Sequence, residues 1–423
     1  MTRFELKRKA SEGVRLARDL EIITPMAGGG AVARMLDAQQ PVSGKSVRGH
    51  LRFWWRATRA GRYGQDGLRQ MRRDEAWLFG TAASFAKSEK DLGPSRVQVT
   101  VETLKSGAAP GRGSKLPAYA AFPFAENRRQ GVAAAPLLAG VQVRVTLTVA
   151  TDRLGSGAHQ DASSVTADLE AALWAWSTFG GVGARTRRGF GALAVTGEHR
   201  TPAELRHVLT RHVLQGTAPA GVSQLDVSVS RTVVIDGFPD APTAWSEGID
   251  LYKDFRQFRR PGQPHEGRSY WPEPDEIRRL TGDSAPAHAQ RVTQARKFPR
   301  AVLGLPIIFH FKGDRDDRSR QGDPLATTLR GMATDRLASP VIIRPGAGGL
   351  LIATILRRAS HPQDPLSNLI LQKSRGTDRV QHQLTVEEAR DLQARVPGDD
   401  TAPTRFSEDV PAAFLKFLQE TLK

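Results

Sequence analysis

The chain of 423 residues contains no cysteine. Disulfides, thiolate nucleophiles and cysteine-based zinc sites are therefore excluded. No run approaches the roughly 18–20 apolar residues that cross a bilayer. The opening MTRFELKRKASEG is charged and has no apolar core, unlike a secretory signal. Together these absences lead us to expect a soluble, cytoplasmic protein with no membrane partner. Acids are also in short supply: 44 Asp and Glu face 61 Lys and Arg, for a net charge of +17. A folded chain this basic ordinarily meets a polyanion, most often nucleic acid. A phosphate-cradling ATPase loop is missing as well. Gly44-Lys45-Ser46 ends like one, but the motif needs a glycine five residues earlier, where Gln39 stands.

Apolar content of 39% and charged content of 25% are those of a folded chain. Its length predicts two or three domains. The first half reads as RLARDLEIITP ending in a strand, a helix at 45–60, strands at 95–103 and 140–150, a helix at 164–181 and a strand at 189–197. The strands are recognised by alternation, as in Val97, Val99 and Val101 or Val141, Val143, Val145, Leu147 and Val149. Ser164 or Thr166 is the expected cap of the second helix. This order is the ferredoxin-like or RRM-like plan, with residues 104–136 as a long loop insertion. A helix at 201–214 follows, with capping-box spacing at Thr201 and Glu204. Residues 215–224 read as a linker. The second half offers strands at 225–235, 302–311, 339–345 and 349–358, and helices at 385–396 and 406–422. The expectation is an α+β chain of two tandem ferredoxin-like domains, 1–215 and 220–423, with long loop insertions.

Residues 41–61, PVSGKSVRGHLRFWWRATRAG, set tryptophans among arginines. On a helix capped by Ser46, Val47, Leu51, Trp54, Trp55 and Thr58 share one face. Arg48, Arg52, Arg56 and Arg59 form a separate stripe. The tryptophans are expected in the core. No acid occurs between Asp37 and Asp66, so the stripe reads as a track for a phosphate backbone, each contact releasing counterions. Lys45 at the helix start adds to it. His50 is the candidate base for a metal-independent ribonuclease, but it lies off the stripe, with no second histidine or paired carboxylate nearby.

The loop FGGVGARTRRGFGAL (179–193) joins a helix to a strand. Gly180, Gly181, Gly183, Gly189 and Gly191 permit close backbone approach to a ligand or positive φ. Arg185, Arg187 and Arg188 supply phosphate contacts. A dinucleotide fingerprint is excluded, because it follows a strand and opens a helix. In the second half, Arg256, Arg259, Arg260 and Arg268 stand near Tyr270 and Trp271, the composition of a single-strand surface. Asp314, Asp316, Asp317 and Asp323 lie in a stretch with five basic residues and read as a solvated loop, not a metal site. Arg344 either faces RNA or pairs with one of these acids. No cofactor and no metal are expected.

The glycine-rich loop resembles that of the RAMP superfamily, the RNA-binding proteins of CRISPR defence. ITPMAGGGA (23–31) and KSVRGHLRFWWRA (45–57) resemble the N-terminal signature of one family within it, the first subunit of the Cmr, or type III-B, effector complex. GRSYWPEPDEIRR (267–279), FPRAVLGLPIIF (298–309) and LASPVIIRP (337–345) add to the likeness. The resemblance implies tandem ferredoxin-like folds and a non-catalytic, RNA-binding place at one end of a ribonucleoprotein. Its implied partners are crRNA near the 3′ region, target single-stranded RNA and other Cmr-type subunits. Target cutting and cyclic oligoadenylate synthesis would belong to other subunits. The alternatives are a RAMP endoribonuclease that processes precursor crRNA through His50, and a structural subunit without RNA contact.

Overall fold

The computed structural model describes residues 13–30, 32, 34–81, 94–111, 116–150, 159, 161–259, 267–311, 322–361, 363–396 and 405–422. The chain divides into two compact units, Met1–Ser114 with Pro123–Leu225, and Lys115–Phe122 with Asp226–Lys423. No helix among the described residues is long and apolar enough to cross a membrane.

The first unit contains β1 (Gly13–Ile22), α1 (Gly44–Arg59), α2 (Leu68–Phe79), β2 (Gln98–Lys105), β3 (Gln142–Ala150), α3 (Ala162–Phe179), β4 (Leu193–Val195) and α4 (Pro202–His212). The strands form one antiparallel sheet in the order β2-β3-β1-β4. That order, with β-α-β-β-α-β connectivity, is the ferredoxin-like fold; α2 is an addition. Alternation in β3 drives it: Val143, Val145, Leu147 and Val149 are fully buried, while Arg144 on the opposite face pairs with Asp19 at 2.7 Å. That opposite face also carries Arg15, Thr146 and Gln98. The helix caps differ from expectation. Ser43, not Ser46, caps α1, and Asp161, not Ser164 or Thr166, caps α3. In both cases the side chain reaches the backbone N–H three residues on, so the helix starts earlier. The Thr201–Glu204 capping box closes as expected. The segment read as a linker, residues 215–224, is pinned at both ends: Leu214 N donates to Thr58 O at 2.9 Å and Leu225 N to Ala57 O at 2.8 Å.

A carboxylate is buried between α1 and α3. Asp168, 2% exposed, accepts hydrogen bonds from Trp55 Nε1 (2.9 Å), Arg59 Nε (2.6 Å) and Arg62 Nη2 (2.9 Å). His159 Nε2 lies 3.2 Å from it. Burial alone would raise its pKa. The His159 hydrogen bond and the charges of Arg59 and Arg62 outweigh burial and hold it well below the usual carboxylate range.

The second unit contains β5 (Thr232–Ile235), α5 (Ala241–Gln257), α6 (Glu273–Thr281), β6 (Ile307–Phe309), β7 (Thr327–Gly331), β8 (Val341–Gly346), β9 (Leu350–Ile355), β10 (Leu369–Gln372), β11 (Thr377–Val380), α7 (Val386–Gln393) and α8 (Val410–Thr421). β5, α5, β8, β9 and α8 repeat the ferredoxin-like order, with a sheet β8-β9-β5. A fourth strand of that sheet is absent among the described residues. The insertions are not plain loops. Residues between α5 and β8, and between β9 and α8, supply a second antiparallel sheet, β11-β10-β7-β6. Its own core includes Leu329, Leu369, Leu371, Phe298 and Phe309. Asp323, expected in a solvated loop, is buried. It accepts from Arg278 Nε at 2.8 Å and Ala285 N at 3.1 Å, and sits 2.7 Å from His288 Nδ1. Asp314, Asp316 and Asp317 lie outside the described residues.

Two stability predictions follow from these carboxylates. Asp168→Ala strands the Arg59 guanidinium in the core, and urea unfolding should report a loss of about 3–5 kcal/mol in the first unit. A loss below about 1 kcal/mol would contradict the role given to Asp168. Burial raises the pKa of Asp323, but the Arg278 hydrogen bond and the Ala285 N–H bring it down to about 2. Its folded pKa is therefore below its unfolded one, near 3.9. The stabilisation is present above about pH 4 and is lost as pH falls towards 2. Asp323→Asn should flatten that limb of the acid-unfolding profile of the second unit.

Candidate nucleic-acid interface

α1 buries Val47, Leu51, Trp54, Trp55 and Thr58, so the two tryptophans belong to the core. The arginine stripe, however, is not one continuous surface. Arg59 is 4% exposed and is bound to Asp168, Ala167 O (2.5 Å) and His212 O. It is a core residue, not a backbone contact. Arg52 Nε and Arg56 Nη1 each reach Glu75 Oε1 of α2 at 2.7 Å. Both remain about one third exposed, sharing one acid. The acids missing from the local sequence thus arrive from α2 and α3. Lys45 and Arg48 form no ion pair among the described residues. Lys45 is exposed, and Arg48 Nε is buried without a hydrogen-bond partner.

The glycine-rich loop is a clasp on the segment after β1. Thr24 Oγ1 donates to Gly189 O (2.6 Å) and accepts from Ala192 N (2.8 Å). Gly191 N donates to Pro25 O, and Ala184 N to Ala27 O. Trp176 Nε1 donates to Gly181 O at 3.1 Å. A Cβ at Gly183 or Gly191, both with positive φ, would collide with the backbone of Ala27 or Val182. These glycines permit close approach within the chain. Arg185 itself is left-handed, with φ +59°. Arg187 is half-buried, its guanidinium 5.8 Å from the Phe53 ring of α1. Burial and the neighbouring Arg188 push its pKa down to about 10. Arg188, 9% exposed, turns inward to Arg187 O and is not a surface cation. The loop thus sets Arg187 beside the middle of α1, at Phe53.

His50 stacks on Trp176, with centroids 5.6 Å apart and planes 12° apart. Desolvation pushes its pKa down to about 4. At neutral pH the ring is uncharged and a weak base, far from the pKa that suits a general base at pH 7. No hydrogen bond orients it among the described residues.

The second-unit candidates do not form one surface. Trp271, 1% exposed, donates from Nε1 to Phe255 O at 2.9 Å. Arg268, 4% exposed, pairs with Asp275. Both are interior, because the loop that carries them folds back on α5 and α6. Arg256 lies against Tyr252, 3.3 Å from its hydroxyl. Tyr270 is half-buried on Phe258, at 4.7 Å, and Arg259 is exposed. Arg260 lies outside the described residues. Arg344 is buried, its Nε donating to Pro345 O at 2.9 Å, so it does not face a ligand. Glu75 and Asp168 were missed. Asp168 and Glu170 stand together in the otherwise apolar segment DLEAALWAW, and nothing local separates the buried acid from the partly exposed one.

Residues 19–194 match the family model of the RAMP superfamily. None of the curated proteins matches the sequence. Among solved structures, apo Cmr1 from Pyrococcus furiosus is similar at 16% identity, covering 91% of this chain and 97% of that one, with a TM-score of 0.47. A chain of the type III-B Cmr-beta complex bound to cognate target RNA and AMPPnP, in the presence of ssDNA, is similar at 10% identity. It covers 97% of this chain and 100% of its own, with a TM-score of 0.48.

The stacked environment of His50 predicts its titration. Its folded pKa lies below the unfolded value near 6.5, so the unfolded chain binds the proton more readily between about pH 4 and 6.5. Stability should therefore rise with pH across that window, and the rise should shrink in His50→Phe. An NMR midpoint for His50 near 6.5 would contradict the burial argument.

Proposed function

From the match of residues 19–194 to the family model of the RAMP superfamily, we propose that this chain is a non-catalytic RNA-binding subunit of a type III-B CRISPR ribonucleoprotein. It contacts crRNA near the 3′ region, target RNA or both, beside other Cmr-type subunits in antiviral defence. The observation that carries this reading is the pair of cations on α1, Lys45 and Arg48, that form no ion pair among the described residues, on a helix whose Phe53 lies against Arg187 of the clasped loop. These cations offer phosphate contacts and no base-edge readout, so selectivity for sequence is modest. The open face of the first sheet supports the same placement. RRM-type sheets stack bases on aromatic rings, whereas this face carries Arg15, Asp19, Arg144, Thr146 and Gln98. The low basicity of His50 argues against the processing nuclease.

Lys45→Ala with Arg48→Ala should weaken single-stranded RNA binding and lower the slope of log K against log salt by about 1.4, two contacts at about 0.7 each. An unchanged slope would remove α1 from the interface. Repeat RNA incubated with the chain in EDTA should stay intact. Cleavage that His50→Ala abolishes would replace this reading with the nuclease.

A further inference from the structure

Nothing among the described residues requires glycine at position 49. It lies in the interior of α1, is exposed, and a Cβ built on it would meet nothing within 4 Å. Its neighbours in the site differ: Gly44 abuts Val99 O, and Gly181 and Gly191 abut each other's strand of the loop. An exposed mid-helix glycine weakens a helix relative to alanine. What surrounds Gly49 is cationic. Lys45 stands one turn before it, Arg52 about one turn after, and Arg48 adjoins it with a buried Nε that has no acceptor among the described residues.

We infer that Gly49 is the point of closest approach of the RNA backbone to α1, a bare patch of helix on which a phosphodiester group settles among Lys45, Arg48 and Arg52. The inference rests on the RNA-binding reading above. A phosphate there supplies a counter-charge to Arg48, which forms no ion pair among the described residues. It also adds negative charge where Glu75 already neutralises part of the Arg52–Arg56 pair. A side chain at this position would hold the phosphate away from all three cations at once.

The test compares Gly49→Ala, Gly49→Leu and the control Thr210→Leu, an equally bulky change on the exposed side of α4. Each full-length variant is titrated with a labelled mixed-sequence single-stranded RNA, and its Tm is measured. Gly49→Ala should raise Tm by about 2–4 °C and hold affinity within about threefold. Gly49→Leu should keep a Tm no lower than the parent yet bind at least tenfold more weakly, while Thr210→Leu binds normally. A Gly49→Leu chain that binds like the parent overturns the inference while leaving the RNA-binding reading intact. Unchanged RNA affinity with lost assembly onto partner subunits overturns it in favour of a protein contact. A parent chain that binds no RNA overturns both.

Discussion

The buried carboxylate of Asp168 sets the terms for the first unit. A single negative charge between two helices is surrounded by Trp55, Arg59 and Arg62 from α1 and its extension, and by His159. Such a cluster tolerates little sliding, because any shift of α1 against α3 leaves a charge unpaired in a low-dielectric interior. The direction of α1, and so the bearing of each of its side chains, follows from this contact. Glu75 acts on the middle of the helix in the same sense. The C-terminal half of α1 is thereby neutralised in part from within, and the N-terminal half keeps its charge for the surface.

The glycine-rich loop adds a second, rigid source of charge. Its glycines make room for the segment Thr24–Ala27, and the resulting hydrogen bonds hold the arginines between them at fixed bearings. Cations held in place before a ligand arrives lose less conformational freedom on binding than the same residues on a loose tether. The partial desolvation of Arg187 beside Arg188 acts in the same direction, since an anion relieves the repulsion between them.

Much of this was legible in the sequence where one face of an element is buried. Alternation located β2 and β3, and the capping box located α4. The apolar face of α1 put Trp54 and Trp55 in the core. Short-range patterns failed where the deciding partner is distant. Arg59 looks like surface until Asp168, over a hundred residues on, is brought to it. Trp271 and Arg268 look exposed until the loop closes on Phe255 and Asp275. The sequence expectation places no helix at α5, whose interior holds Gly248. In the fold this glycine lets the helix settle on Leu351, whose side chain would clash with a Cβ. The strands of the second sheet span only three to five residues, too short for a period to show.

That second sheet has a consequence for how the chain acquires its structure. β7 and β10 pair with each other, yet the hairpin β8–β9 of the other sheet lies between them in sequence. Their union closes a loop of some forty residues, an entropic penalty that local hairpins escape. Once β8 and β9 have paired, much of that loop is already tied down and the remaining search is shorter. The pairing of the ferredoxin-like hairpin thus lowers the entropic cost of forming the inserted sheet.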